Sequence, residues 1–111
     1  MGQLSLVDEF PNFTKHVFLD VFVESTWDPK RGKLVLKTLG NQFCPGGVRV
    51  GCPVRYYQQF PVGTIYKIDM RRVHVRRQAP YFLVIRRKHM QRAIEFFEHN
   101  RRLLASAMLS G

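Results

Sequence analysis

Acidic residues are scarce in this chain. Eight of its 111 residues are Asp or Glu, against 18 Lys and Arg, and the formal net charge is +10. A metal-dependent nuclease needs grouped carboxylates to hold its metal ions, and Asp20 and Glu24, four residues apart in the sequence, do not form such a group. No local Ser-His-Asp or Cys-His arrangement and no glycine-rich phosphate loop opening a helix is present. We therefore expect a protein without enzymatic activity.

Cysteine is also rare, with Cys44 and Cys52 as the only two. Their spacing differs from the close pair of a zinc ribbon, and no histidine pair follows at ligand distance. The four histidines are scattered, at His16, His74, His89 and His99. We expect two ordinary buried thiols, no disulfide scaffold, no metal site and no cofactor.

Long hydrophobic runs are absent, since none approaches the roughly 18–20 residues needed to cross a bilayer. The N-terminus has neither the basic start nor the apolar stretch of a signal peptide. We therefore expect a cytoplasmic protein with no membrane partner. With 45% hydrophobic and 13% aromatic residues, the chain is too apolar for a disordered basic tail. The expected organisation is an N-terminal tail over residues 1–12 and one basic β-rich domain over residues 13–111.

Alternating apolar residues predict a first strand over residues 14–23. On this pattern, Val17, Leu19, Val21 and Val23 share one face, and the other face holds His16, Phe18, Asp20 and Phe22. The turn residues Asp28, Pro29 and Gly32 then predict a hairpin to a second strand over residues 33–39. A short strand is expected next, at residues 48–50 or around residues 54–57.

The second half of the chain predicts two more strands and a helix. Residues 64–75 read as a long strand whose apolar phase changes between Asp69 and Val73, which indicates a bulge or bend. Residues 81–85 form a continuous apolar run, expected to be covered on both faces. From Lys88 to Met108 the apolar residues recur with helical spacing, and Glu98 and Arg102 form an i, i+4 pair. The apolar side of this helix is expected to cover the sheet.

These elements predict a mainly β or α+β fold: a small antiparallel β-barrel of about five strands, closed by one C-terminal amphipathic helix. An OB-like barrel is the first expectation. An OB barrel usually carries its helix between strands three and four, whereas this helix comes last, so an SH3-like barrel or an open sheet stays as an alternative.

The main functional signal is a basic cluster over residues 70–94, which contain eight Lys and Arg and no acidic residue. Guanidinium groups bind phosphates, and aromatic faces stack on unpaired bases. Four tyrosines, Tyr56, Tyr57, Tyr66 and Tyr81, are expected to be exposed or half-exposed beside the cluster. We predict binding of DNA or RNA, single-stranded or structured. The candidate contacts are Arg71, Arg72, His74, Arg76, Arg77, Arg86, Arg87, Lys88, Tyr66 and Tyr81.

A second candidate site lies at the N-terminus, where the sequence reads Gln3-Leu4-Ser5-Leu6-Val7. This segment resembles the short peptide by which bacterial replication and repair proteins dock onto the DNA sliding clamp, although Val7 replaces the larger final apolar group. The resemblance implies a sliding clamp as partner, with Gln3, Leu4 and Leu6 as contacts. In the alternative interpretation, Leu4, Leu6 and Phe10 fold back onto the domain. The competing function is a protein-interaction module that binds an acidic protein through the basic cluster, or a sliding clamp through this N-terminal peptide.

Overall fold

The computed structural model describes residues 16–110 of the chain. Six strands and one α-helix follow one another in this part. They are β1 (Val17–Asp28), β2 (Lys33–Thr38), β3 (Arg49–Gly51), β4 (Ile65–Val73), β5 (Tyr81–Ile85), β6 (Gln91–Arg92) and α1 (Phe97–Ser110). Short 3-10 turns stand at Val54–Tyr56, Arg87–His89 and Ile94–Phe96.

Five of the strands close into a barrel. Their order is β1-β2-β3-β5-β4, and β4 pairs again with β1. Four of the five pairings are antiparallel, and β3 runs parallel to β5. β6 lies outside the barrel, on the part of β4 that precedes the β5 pairing. The predicted small barrel with one C-terminal helix is confirmed, with the difference that one pairing is parallel.

The strand order resolves the choice between the two expected barrels. β1 pairs with both β2 and β4, and the parallel pairing of β3 with β5 completes the ring. This is the OB-like arrangement. The 3-10 turn Val54–Tyr56 stands between β3 and β4, where an OB barrel usually carries its helix, and α1 is an additional element.

A bulge in β1 changes which side chains enter the core. Asp20 has a positive φ of 54°, and the pairing with β4 shifts between Phe18 and Val21. Phe18 is therefore buried, whereas Val17 and Leu19 are exposed, and burial resumes at Val21. The predicted continuous alternation from Val17 to Val23 is wrong for the first three residues, because one bulge reverses the faces on its two sides. The strand also continues to Asp28, five residues past its predicted end.

The core lies inside the ring of strands. Its fully buried side chains include Val21, Leu36, Val50, Ile68 and Met70. β5 is buried on one face only, with Phe82 and Val84 inside, so the predicted burial on both faces is wrong. Of the two expected positions for the short strand, residues 48–50 correspond to β3, and residues 54–57 form the 3-10 turn instead.

The C-terminal helix is shorter than predicted. Residues 87–96 form two 3-10 turns and β6, and α1 begins at Phe97 rather than near Lys88. The expected covering of the sheet by its apolar side is also wrong in part, since Ile94, Phe97 and Met108 are all more than half exposed. Glu98 pairs with Arg101 at 2.9 Å, one residue before the expected partner Arg102. Within residues 16–110, no helix is long and apolar enough to cross a bilayer.

Candidate nucleic-acid interface

The predicted basic cluster is divided between two ends of the barrel. β4 and β5 are antiparallel, with Val73 opposite Tyr81 and Asp69 opposite Ile85. His74, Arg76 and Arg77 therefore lie near the start of β5, Arg71 stands opposite its middle residue Leu83, and residues 86–88 follow its other end. Four residue steps of a strand separate these ends by about 13 Å. The two groups of cations belong to separate surfaces.

A groove crosses the outer side of the parallel β3 and β5 pair near the first of these ends. It has a volume of about 510 Å³. We name it the barrel groove, and it is lined by Arg31, Val48, Arg49, Gly51, Pro80, Tyr81, Phe82 and Leu83. Arg31 belongs to the β1–β2 turn, and Pro80 ends the β4–β5 loop. The barrel groove therefore brings these two connections together over the strand pair.

Basic side chains continue from the barrel groove over the outer face of the sheet. Lys37 is exposed, and it stands opposite Arg49 on β3 and opposite Glu24 on β1. Arg71 on β4 is exposed and stands opposite Leu83, which in turn faces Gly51. Lys37 and Arg49 are thus a like-charged pair in opposite positions of neighbouring strands, and such a pair destabilises a sheet. Glu24 is the single carboxylate in this row, so the row keeps an excess of positive charge.

The β4–β5 loop adds exposed cations beside the barrel groove. His74, Arg76 and Arg77 are all exposed, and Arg77 has a positive φ of 67°. The four salt bridges among residues 16–110 use the carboxylates of Asp28, Asp69, Glu95 and Glu98. Arg31 of the barrel groove is the partner of Asp28, at 3.7 Å, and none of the four bridges involves Arg71 or a cation of the β4–β5 loop or of β3. Within residues 16–110, the cations of the β4–β5 loop and of β3 are therefore not neutralised by a salt bridge.

The two predicted stacking residues differ in accessibility. Tyr81 is 42% exposed and lines the barrel groove. Tyr66 is 2% exposed, and its hydroxyl donates a hydrogen bond of 3.2 Å to the Tyr57 carbonyl. Tyr57 is buried as well and donates to the Leu34 carbonyl. The expected exposure of Tyr66 and Tyr57 is therefore wrong, because both fill the barrel interior, and Tyr66 is not accessible to a base.

Three further predicted contacts lie at the far end of β5. Arg86 approaches the Asp69 carboxylate at 3.7 Å. The Arg87 guanidinium lies 5.7 Å from the centre of the Tyr56 ring, whose other neighbour is Arg55 at 4.9 Å. The hydrogen bond and charge of Arg55, with a smaller contribution from Arg87, lower the pKa of the Tyr56 hydroxyl. Lys88 is exposed at the same end, and Arg72, on β4, is half-buried.

Sequence reasoning missed three residues of this surface. Arg31 and Lys37 lie in residues 1–40, which hold five basic and five acidic residues, and Arg49 lies in residues 41–69, which hold only three basic residues and one acidic residue. Local charge density therefore gave no signal. The pattern of Lys33, Val35 and Lys37 on one face of β2 was available, but the pairing of β3 with β5 that adds Arg49 depends on the tertiary fold.

Gln3, Leu4 and Leu6, the predicted clamp contacts, lie outside the described residues. Among residues 16–110, no three His, Cys, Asp or Glu side chains come close enough together to hold a metal ion. Comparison with known proteins gives no match: no protein-family model, no curated protein and no solved structure corresponds to this chain.

Proposed function

We propose that this protein binds single-stranded nucleic acid across the barrel groove, without catalysis. The observation that carries the proposal is an exposed tyrosine, Tyr81, in a groove that Arg31 and Arg49 also line. Aromatic faces stack on unpaired bases of any sequence, and guanidinium groups bind the phosphates that connect them. The barrel groove brings an aromatic ring and two guanidinium groups together on one surface.

The surroundings of the barrel groove support the same ligand. In OB-like barrels, the faces of strands two and three and the loops after strands one and four are the usual nucleic-acid contacts. In this chain the corresponding positions hold Arg31, Lys37, Arg49, Arg76 and Arg77. This likeness is an analogy at the level of the fold, and the charges and Tyr81 give it chemical content.

A single strand fits the structure better than a duplex read in its major groove. Duplex readers commonly insert a helix that presents several polar side chains to the base edges. The only Arg or Lys residues of α1 are Arg101 and Arg102, and Arg101 is paired with Glu98 at 2.9 Å. The cations beside Tyr81 instead belong to strands and loops.

The first experiment compares two double charge reversals of equal net effect. We expect R76E/R77E to weaken binding of a fluorescent 12-residue oligo(dT) at least roughly tenfold at moderate salt. It should also reduce the slope of log affinity against log salt by about 1.4, since each lost phosphate contact on a single strand contributes about 0.7. R92E/R102E makes the same change in charge away from the barrel groove, and affinity should stay within about twofold of the wild-type value.

Stacking is tested separately at Tyr81. Y81A should lower affinity about 5- to 150-fold, equivalent to the 1–3 kcal/mol of one base stacked on an aromatic ring. Y81F keeps the ring and should bind as the wild type does. RNA, duplex DNA and heparin are measured in parallel. Equal losses in both double variants, or equal affinity for heparin and oligo(dT), would show a nonspecific polycation and refute the proposal.

A further inference from the structure

A second groove lies between α1 and the barrel, and its volume is about 740 Å³. We name it the helix groove. Its apolar lining includes Phe60, Met90, Ala93, Phe97 and Leu104. None of its lining residues belongs to the barrel groove. The helix groove is thus a separate surface, and the proposed nucleic-acid site leaves it unexplained.

The apolar side chains at the helix groove are unusually accessible. Phe97 is 59% exposed, and Ile94 is 74% exposed. Exposing a large aromatic side chain to water is unfavourable, since burying it would stabilise the protein by about 1.5–3 kcal/mol. A contiguous exposed apolar surface with a polar rim is typical of an interaction site.

The rim of the helix groove is positively charged. The Arg92 guanidinium lies 4.4 Å from the centre of the Phe60 ring. Arg101 lies on the helix side, and Tyr56, whose ring centre is 4.9 Å from the Arg55 guanidinium and 5.7 Å from that of Arg87, also lines the groove. The nearby carboxylates are engaged, because Glu95 pairs with Lys67 at 2.7 Å and Glu98 with Arg101 at 2.9 Å. Within the described residues, the rim therefore has more cations than acidic partners.

We propose that the helix groove docks a short acidic segment of another protein, whose apolar side chains enter the groove and whose carboxylates meet the arginine rim. Charge complementarity selects this occupant over a second copy of the chain, since two copies that each carry +10 repel one another. The apolar floor provides burial for Phe- or Leu-type side chains, and the rim selects against basic partners.

The test uses a fluorescein-labelled nine-residue peptide in which Phe and Leu alternate with Glu. We expect saturable binding by fluorescence anisotropy with a Kd in the micromolar range. The same peptide with Gln in place of Glu should bind at least roughly tenfold more weakly, which corresponds to about 1.4 kcal/mol. Oligo(dT) should not compete, because the proposed nucleic-acid site is the barrel groove.

Four variants locate the peptide. F97D and R92E change an exposed apolar residue and a rim cation of the helix groove, and each should reduce affinity at least roughly tenfold. M108D and R102E make the same charge changes at exposed positions of α1 that do not line the groove, and affinity should remain within about twofold. Circular dichroism should show that all four variants are folded.

The proposal fails if the wild-type protein does not bind the Glu peptide, if the Gln peptide binds equally well, or if all four variants lose affinity alike. It also fails if light scattering shows a dimer that F97D dissociates, since a second copy would then occupy the groove. Competition by oligo(dT) would assign the groove to nucleic acid instead. If F97D loses peptide binding but still binds oligo(dT), the two grooves act independently, and a failure of one proposal can be distinguished from a failure of the other.

Discussion

At the scale of single residues, Asp20 decides how β1 curves. Its φ of 54° lies in the left-handed region, and its backbone N–H donates to the Asp69 side chain at 3.1 Å. Asp tolerates this conformation better than most residues, since its short polar side chain can form hydrogen bonds to the local backbone. The bulge places Phe18 and Val21 in the same interior, and through it the long strand β1 pairs with both of its neighbours.

We predict that D20V destabilises the protein, because a β-branched residue in the left-handed region clashes with its own backbone. The free energy of unfolding should fall by about 1–2 kcal/mol in urea titrations. D20G should leave it unchanged or raise it slightly, since glycine adopts positive φ without this cost. Equal destabilisation by both substitutions would show that the Asp20 side chain, and not its backbone conformation, is what matters.

Tyr81 and Tyr66 show how far single residues of the site could be predicted from the sequence. Tyr81 was predicted to be exposed or half-exposed together with three other tyrosines beside the basic cluster, and it is 42% exposed. Tyr66 has the same side chain and a basic neighbourhood in sequence, yet it is buried and donates to the Tyr57 carbonyl. A tyrosine can be buried when its hydroxyl donates a hydrogen bond to a carbonyl inside the protein. The position of that carbonyl depends on the closed barrel and cannot be read from the sequence.

At the scale of elements, α1 is joined to the barrel by few contacts. Asn100 is 4% exposed, and its side-chain amide bonds both the N–H and the C=O of Ile65, at 2.8 and 2.9 Å. His99 approaches the Gly63 carbonyl at 2.8 Å, but this contact is exposed. Because much of the apolar surface of the helix is not buried, the Asn100 clamp has a large share in holding α1 in place.

We predict that N100A destabilises the protein by about 2–3 kcal/mol, because the Ile65 N–H at the start of β4 would be buried without its partner. H99A removes a hydrogen bond of similar length at an exposed position, and its cost should be about 0.5 kcal/mol. Urea unfolding measures both. Limited proteolysis should additionally cut N100A first within α1. Similar stability of the two variants would show that packing, and not the clamp, holds the helix.

The elements differ in how far their sequences determine them. The hairpin of β1 and β2 was predictable, since Asp28, Pro29 and Gly32 form a local turn between alternating segments. The start of α1 was not, because Met90, Ala93 and Ile94 have helical spacing but belong to β6 and the turns around it. Ala93 there donates its N–H to the Ile65 carbonyl. Pairing with a distant strand overrides the local helical pattern.

At the scale of the whole molecule, closure of the barrel fixes the ionisation of interior groups. Burial raises the pKa of the Cys44 thiol to about 11, and burial likewise raises the pKa of the Tyr66 hydroxyl to about 12. A solvated thiol has a pKa of about 8.5 and a solvated tyrosine about 10. In both cases the folded protein keeps the proton to a higher pH than the unfolded chain does. The free energy of unfolding therefore changes with pH in the alkaline range.

The sign of that dependence follows from proton counts. Below about pH 8.5 the thiol is protonated in both states and the contribution to stability is complete. Between there and about pH 11 the unfolded chain releases the Cys44 proton while the folded protein retains it, so the free energy of unfolding decreases as pH rises.

C44A should therefore show a shallower decrease in urea titrations from pH 8 to pH 11, whatever its stability at pH 8. Burial also raises the pKa of Cys52, Tyr57 and Tyr66, so these groups share the remaining decrease, and Y66F should reduce its upper part, above about pH 10. If C44A and the wild-type protein lose stability in parallel over this range, Cys44 does not keep its proton in the folded barrel, and the closed interior that surrounds it opens to water at alkaline pH.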